Sequence, residues 1–252
     1  MPPRRPRKQP RSSFLPYVFL AVGLAAYSAL AFYLRFVQDD AFITYRYVAN
    51  FLAGHGLVYN IGERICGFTN FGWTIYLLSK HPEVEARVRT ELQQTLAGRA
   101  PTYEEINKLS FMRQVFDEAL RLYPPAWMFA RILAQEDKLG GFTLPPKAVI
   151  LVSPYVTHRL PAYWDAPAQF KPERFTAAQV NARPRYAYFP FGGGPRQCIG
   201  MPFALMEAPL ILAMLMQAFT FHPLPGEEAR TRPVGTLRPG PFRMTLTPLS
   251  TA

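Results

Sequence analysis

The chain alternates between long apolar runs and short amphipathic stretches. From Phe14 to Leu34 there is no charged residue. At about 1.5 Å per residue, a helix of that length spans roughly the hydrocarbon of a bilayer. Pro16 falls in the first turn, where a missing N–H is tolerated, and Tyr17 and Tyr33 lie near the two ends as interfacial aromatics do. Further on, Pro82-Glu83 opens a helix whose Val84, Val88, Leu92 and Leu96 share one face, with Gly98 as its stop. Ser110 is placed to cap a second helix from Phe111 to about Leu122, which Tyr123-Pro124-Pro125 ends. A third apolar helix runs from Met201 to about Phe219. Glu207 and Pro209 in its middle argue for a core helix rather than a second membrane span.

Composition sharpens this picture. With 49% hydrophobic and 18% charged residues, the chain is not mainly disordered. The net charge is +11, yet Arg4, Arg5, Arg7, Lys8 and Arg11 stand ahead of the apolar run with no acid among them. The later basic residues alternate with acids, which excludes a nucleic-acid footprint. By the positive-inside rule the basic tail, residues 1–13, is cytoplasmic, and residues 14–37 form a single transmembrane helix. A leader cleaved after Ala29-Leu30-Ala31 and a buried soluble helix are the alternatives. The continuation of the apolar run to Val37 favours the anchor.

Just past the span come Asp39-Asp40-Ala41-Phe42-Ile43-Thr44-Tyr45-Arg46, then Gly54-His55-Gly56-Leu57-Val58-Tyr59-Asn60 and Gly67-Phe68-Thr69-Asn70. Residues 38–73 resemble the first extracytoplasmic loop of membrane glycosyltransferases that use polyprenyl-phosphate sugars. That resemblance implies a general-base or cation-holding role for Asp39 and Asp40. On the residues alone, a helix N-cap is the preferred role for Asp40. Ile65-Cys66 departs from the family's usual pair, and the many spans of such enzymes are not found.

The stretch 74–252 differs in character: α-rich, with short strands. Glu118 and Arg121, three apart on one helix, share a face. Downstream stand Phe170-Lys171-Pro172-Glu173-Arg174-Phe175 and Phe191-Gly192-Gly193-Gly194-Pro195-Arg196-Gln197-Cys198-Ile199-Gly200. In that order, with "LLSKHPEVEARVRTEL" and "GGFTLPP", they resemble the C-terminal half of cytochromes P450. The implied fold is mainly α with short β hairpins, half of a P450 preceded by one transmembrane helix. The resemblance implies a haem b whose iron takes the Cys198 thiolate, with Phe191 shielding the sulfur and Arg196 on a propionate. Gly194 and Gly200 let backbone approach the macrocycle, and Arg131 is a second propionate candidate. It also implies that Glu118, Arg121 and Arg174 form a structural charge network. His55, His81, His158 and His222 are scattered without ligand spacing and read as packing or surface residues.

The resemblance further implies a monooxygenase acting on an apolar small molecule, with an electron-donating partner, at a membrane. The family's oxygen-activating helix would lie just before residue 74, where Gly54, Gly56, Gly62, Gly67 and Gly72 predict poor helix. Weak or absent turnover is therefore expected. The two resemblances meet at Trp73-Thr74, which suggests fragments of two unrelated genes joined by recombination, deletion or an assembly error. A glycosyltransferase remnant using Asp39 and Asp40, and a non-catalytic fusion, are the competing readings.

Overall fold

The structure is a computed structural model and describes residues 69–249. The expectations for the basic tail, the apolar run, Asp39, Asp40 and Cys66 lie outside the described residues.

The first helix, α1, runs from Thr69 to Lys80, without a break at Trp73-Thr74. The glycine-based expectation of poor helix therefore does not hold for residues 69–73. Packing overrides propensity here: Phe71 and Trp73 are buried, Trp73 completely. Its indole stacks on Tyr123 with ring centroids 3.7 Å apart, and its Nε1–H donates to the Leu237 carbonyl at 3.3 Å.

A one-residue joint at His81 leads into α2, Pro82–Leu96. Proline in its first turn and Glu83 and Glu85 beside it suit the helix start. Its apolar face is buried as the periodicity predicts, through Val84, Val88, Leu92 and Leu96. Ala97 takes the left-handed C-cap, at φ 48°, one residue ahead of Gly98. Thr102 and Glu105 form a reciprocal capping box on the short α3, Tyr103–Ile106.

Helix α4 spans Ser110–Leu122, and its start corrects the expected cap. Ser110 is the first helical residue, and no side chain of the N-cap residue, Leu109, bonds the helix. The cap comes from α2 instead. One Glu91 carboxylate oxygen accepts the Phe111 N–H at 2.7 Å and the other the Met112 N–H at 2.8 Å. A long-range carboxylate thus satisfies the orphan donors and meets the positive end of the helix dipole.

Four two-stranded antiparallel sheets follow among the described residues. Strand β1, Phe129–Ile132, pairs with β4, Val149–Val152; β2, Asp137–Leu139, and β3, Phe142–Leu144, make a hairpin turned by Gly140-Gly141. After the short α5, Pro154–Thr157, the chain crosses a 3-10 turn, Pro172–Phe175, and α6, Ala177–Ala182. It reaches the cysteine loop and then α7, Met201–Ala218. Strand β5, Phe219–Pro223, pairs with β8, Met244–Pro248, and β6, Thr231–Val234, with β7, Thr236–Pro239.

The core is built where α1, α2, α4 and α7 meet, from residues such as Leu78, Val88, Leu92, Met112, Val115, Leu212 and Met216. Helix α7 is long and apolar enough to cross a membrane by length and composition. Its C-terminal half nevertheless packs into this core through Leu212, Ala213, Leu215 and Met216. That packing gives its hydrophobicity a role inside the fold.

Candidate haem-thiolate site

The loop from Phe189 to Gly200 places Cys198 just before α7. The Cys198 N–H donates to the Phe191 carbonyl at 2.9 Å, closing the loop on itself. Gly192 and Gly194 adopt left-handed φ values of 73° and 69°, which side-chain-bearing residues adopt only with strain. A short 3-10 turn, Gly194–Arg196, then carries the chain to the sulfur. Gly200 has an ordinary φ of −79°, and a Cβ there would rest 3.8 Å from Cys198 Sγ. Its smallness leaves that side of the sulfur bare.

The Cys198 thiol is free and exposed, and Ile199 beside it is 99% exposed. Arg196 is exposed on the same loop. Arg131 is exposed on β1, where among the described residues its guanidinium meets the Ala130 carbonyl and the Phe129 ring. Neither arginine has a carboxylate partner among the described residues. Strand β1 is tied to the loop, because Phe129 meets the Phe189 ring edge to face at 6.4 Å. An open soft donor, a glycine-rich turn and two arginines without a carboxylate partner among the described residues are groups that could hold a thiolate-ligated haem with two carboxylates.

Behind the loop lies a buried charge network. Arg121 and Glu118 are both inaccessible to solvent. Arg121 Nε donates to Glu118 Oε2 at 2.6 Å and Arg121 Nη2 to Glu118 Oε1 at 2.8 Å. The remaining guanidinium N–H groups donate to the His158, Pro167 and Gln169 carbonyls at 2.8, 2.9 and 3.1 Å. All five Arg121 donors are thus used. Glu118 Oε1 also accepts the Lys171 N–H at 2.9 Å, and Arg174 Nε lies 3.5 Å from it. The Glu118, Arg121 and Arg174 that sequence singled out are brought together. Cys198 and Arg196 stand apart on their loop, and Arg131 on its strand.

Several participants carried no sequence signal. His158 is fully buried, and burial drives its imidazole down to about pKa 3. The Arg121, Arg159 and Arg183 cations reinforce that shift, while the bond to the Arg121 carbonyl opposes it. Tyr188 donates to the Asp117 carboxylate at 3.0 Å, and burial and that carboxylate push its hydroxyl well above the ordinary phenol value. Burial also raises Asp117, against the pull of Arg113. The Arg183 guanidinium lies 4.3 Å from the Trp164 ring centre and 4.6 Å from that of Phe175. A lone His, Tyr or Arg in a loop has no periodicity to reveal it.

Comparison with known proteins agrees with the geometry. The family model described as Cytochrome P450 matches residues 69–246. Cyclooctatin synthase of Streptomyces melanosporofaciens is 43% identical over 172 residues, covering 68% of this chain and 38% of that protein. Cyclooctat-9-en-7-ol 5-monooxygenase of the same organism is 41% identical over 180 residues, covering 71% of this chain and 39% of that protein. Human cytochrome P450 3A7 is 39% identical over 150 residues, 59% of this chain and 30% of that protein. The chain spans about two-fifths of the length of the two bacterial relatives. The family's cofactor is haem whose iron is held by a cysteine thiolate. With its exposed Cys198, its glycine-rich loop and a match extending over most of its length, this chain belongs to the cytochrome P450 family.

Proposed function

We propose that this chain is a haem-thiolate protein of the monooxygenase type, acting on an apolar small molecule with an electron-donating partner. The observation that carries the reading is the exposed Cys198 on a loop closed by its own N–H to the Phe191 carbonyl. When bound, a thiolate-ligated haem supplies the electron push that favours O–O cleavage. Cys198 is the ligand in this reading. Phe191 would shield the sulfur, and the bareness of Gly194 and Gly200 would let the backbone lie close to the macrocycle. Arg196 and Arg131 would hold the two propionates. Glu118 and Arg121 hold the underlying segment rigid, since a buried ion pair in which all five Arg121 donors are used has one low-energy arrangement, and Arg174 adds its charge 3.5 Å from Glu118.

The names of the bacterial relatives support an oxygenated apolar compound as the substrate class. We assign the apolar run, residues 14–37, to a single membrane anchor with a cytoplasmic N-terminus.

The chain supplied with haemin, reduced and exposed to carbon monoxide, should give the red-shifted Soret band of a thiolate complex. Cys198→Ala should abolish that band. A wild-type protein without it would overturn the reading.

A further inference from the structure

We propose that His158 is a positioning residue for the cysteine loop, docking the backbone of Phe189 onto the helix that carries Glu118 and Arg121. The inference rests on the haem-thiolate reading only for its consequence at Cys198.

His158 lies between the two structures that must be kept in register. On one side, its Nδ1 faces the Arg121 carbonyl at 3.3 Å, and its own carbonyl accepts from Arg121 Nη1 at 2.8 Å. On the other, its Nε2 takes the Phe189 N–H at 2.9 Å. A backbone N–H can only donate, so Nε2 is the acceptor. The proton of the neutral ring then sits on Nδ1, directed at the Arg121 carbonyl. One imidazole therefore satisfies a carbonyl of α4 and an amide of the cysteine loop, using both nitrogens.

The docked amide belongs to the residue that starts the loop. The Phe189 carbonyl accepts the Gly192 N–H at 3.0 Å, and the Phe191 carbonyl accepts the Cys198 N–H at 2.9 Å. Fixing Phe189 thus fixes the first of two consecutive closures that end at the sulfur-bearing residue. The ring of Phe189 also meets His158 edge to face at 5.3 Å. The His158 ring is completely buried and Phe189 is half-buried, so losing the imidazole acceptor leaves the Phe189 N–H poorly compensated by water.

The distinguishing experiment compares His158→Leu, which removes the acceptor, with His158→Gln, whose side-chain carbonyl can reach the same amide. Hydrogen exchange is read at the Phe189 amide in the full chain without haem. Loss of one buried hydrogen bond of ordinary strength should speed exchange in the Leu variant by about tenfold. The Gln variant should stay within about threefold of wild type. With haemin, the thiolate-type share of the ferrous-CO spectrum should fall at least by half in the Leu variant and recover in the Gln variant. Equal exchange in the Leu variant and wild type would overturn the proposal. So would equal disruption by Leu and Gln, or fast Phe189 exchange with an unchanged thiolate share. Should the Leu variant not fold, fast exchange of the Phe189 amide in wild type overturns it, and slow exchange retained in the Gln variant supports it. A wild-type protein without a thiolate band defeats the haem reading, while the haem-free exchange still decides whether His158 docks Phe189.

Discussion

Replacing Arg121 by lysine keeps the charge and removes the fork. Arg121 uses five N–H donors on Glu118 and three carbonyls, all at 3.1 Å or less. Lysine offers three donors from one point, so at least two acceptors lose their partner. An acceptor left unpaired costs about 1–3 kcal/mol when buried and less when part-buried, as the Pro167 and Gln169 carbonyls are, which gives up to about 6 kcal/mol for the substitution. That is a large part of the roughly 5–15 kcal/mol that holds a domain folded. The control is Arg87→Lys, at an ion pair with Glu173 in which both side chains are more than half exposed. Pairs of that kind contribute about 0–1 kcal/mol. Urea unfolding followed by tryptophan fluorescence reads both, and Trp164 lies 5.0 Å from the Arg121 guanidinium carbon. A shift in midpoint at constant slope reports stability alone. A loss below about 1 kcal/mol for Arg121→Lys, or one equal to the control, would refute the claim that the fork geometry and not the charge holds this network.

Other expectations can be checked alongside. His158 is held near pKa 3 when folded against an ordinary value of 6.5, so the unfolded chain binds the extra proton between those values. The folded state therefore keeps this contribution above pH 6.5 and loses it as pH falls toward 3, at up to about 1.4 kcal/mol per pH unit. Relative to His158→Gln, wild type should lose about 2 kcal/mol more stability between pH 6.5 and 4.5, and parallel pH profiles would contradict this. Glu91→Ala should cost about 1–2 kcal/mol by uncapping α4, whereas Ser110→Ala should cost well under half of that, measured by thermal or urea unfolding.

The hydrophobic period was enough to place α2 and its buried face. Val84, Val88, Leu92 and Leu96 repeat every four residues, and that spacing reads the same in the chain as in the fold. The prolines likewise marked the end of α4, because their backbone restriction is local. The order of Glu118, Arg121, Arg174, Arg196 and Cys198 was legible as a family pattern without any knowledge of their distances. Tertiary structure decided what depends on residues far apart. Glu91, not Ser110, caps α4, since the partner that reaches the free N–H groups comes from another helix. Residues 69–73 are helical despite Gly72, because Trp73 gains the Tyr123 face and the Leu237 carbonyl. His158, silent in the sequence, becomes the link between Arg121 and Phe189 only once the chain has folded. Burial strengthens each such contact by excluding water, and burial is a property of the assembled fold, not of any local stretch of sequence.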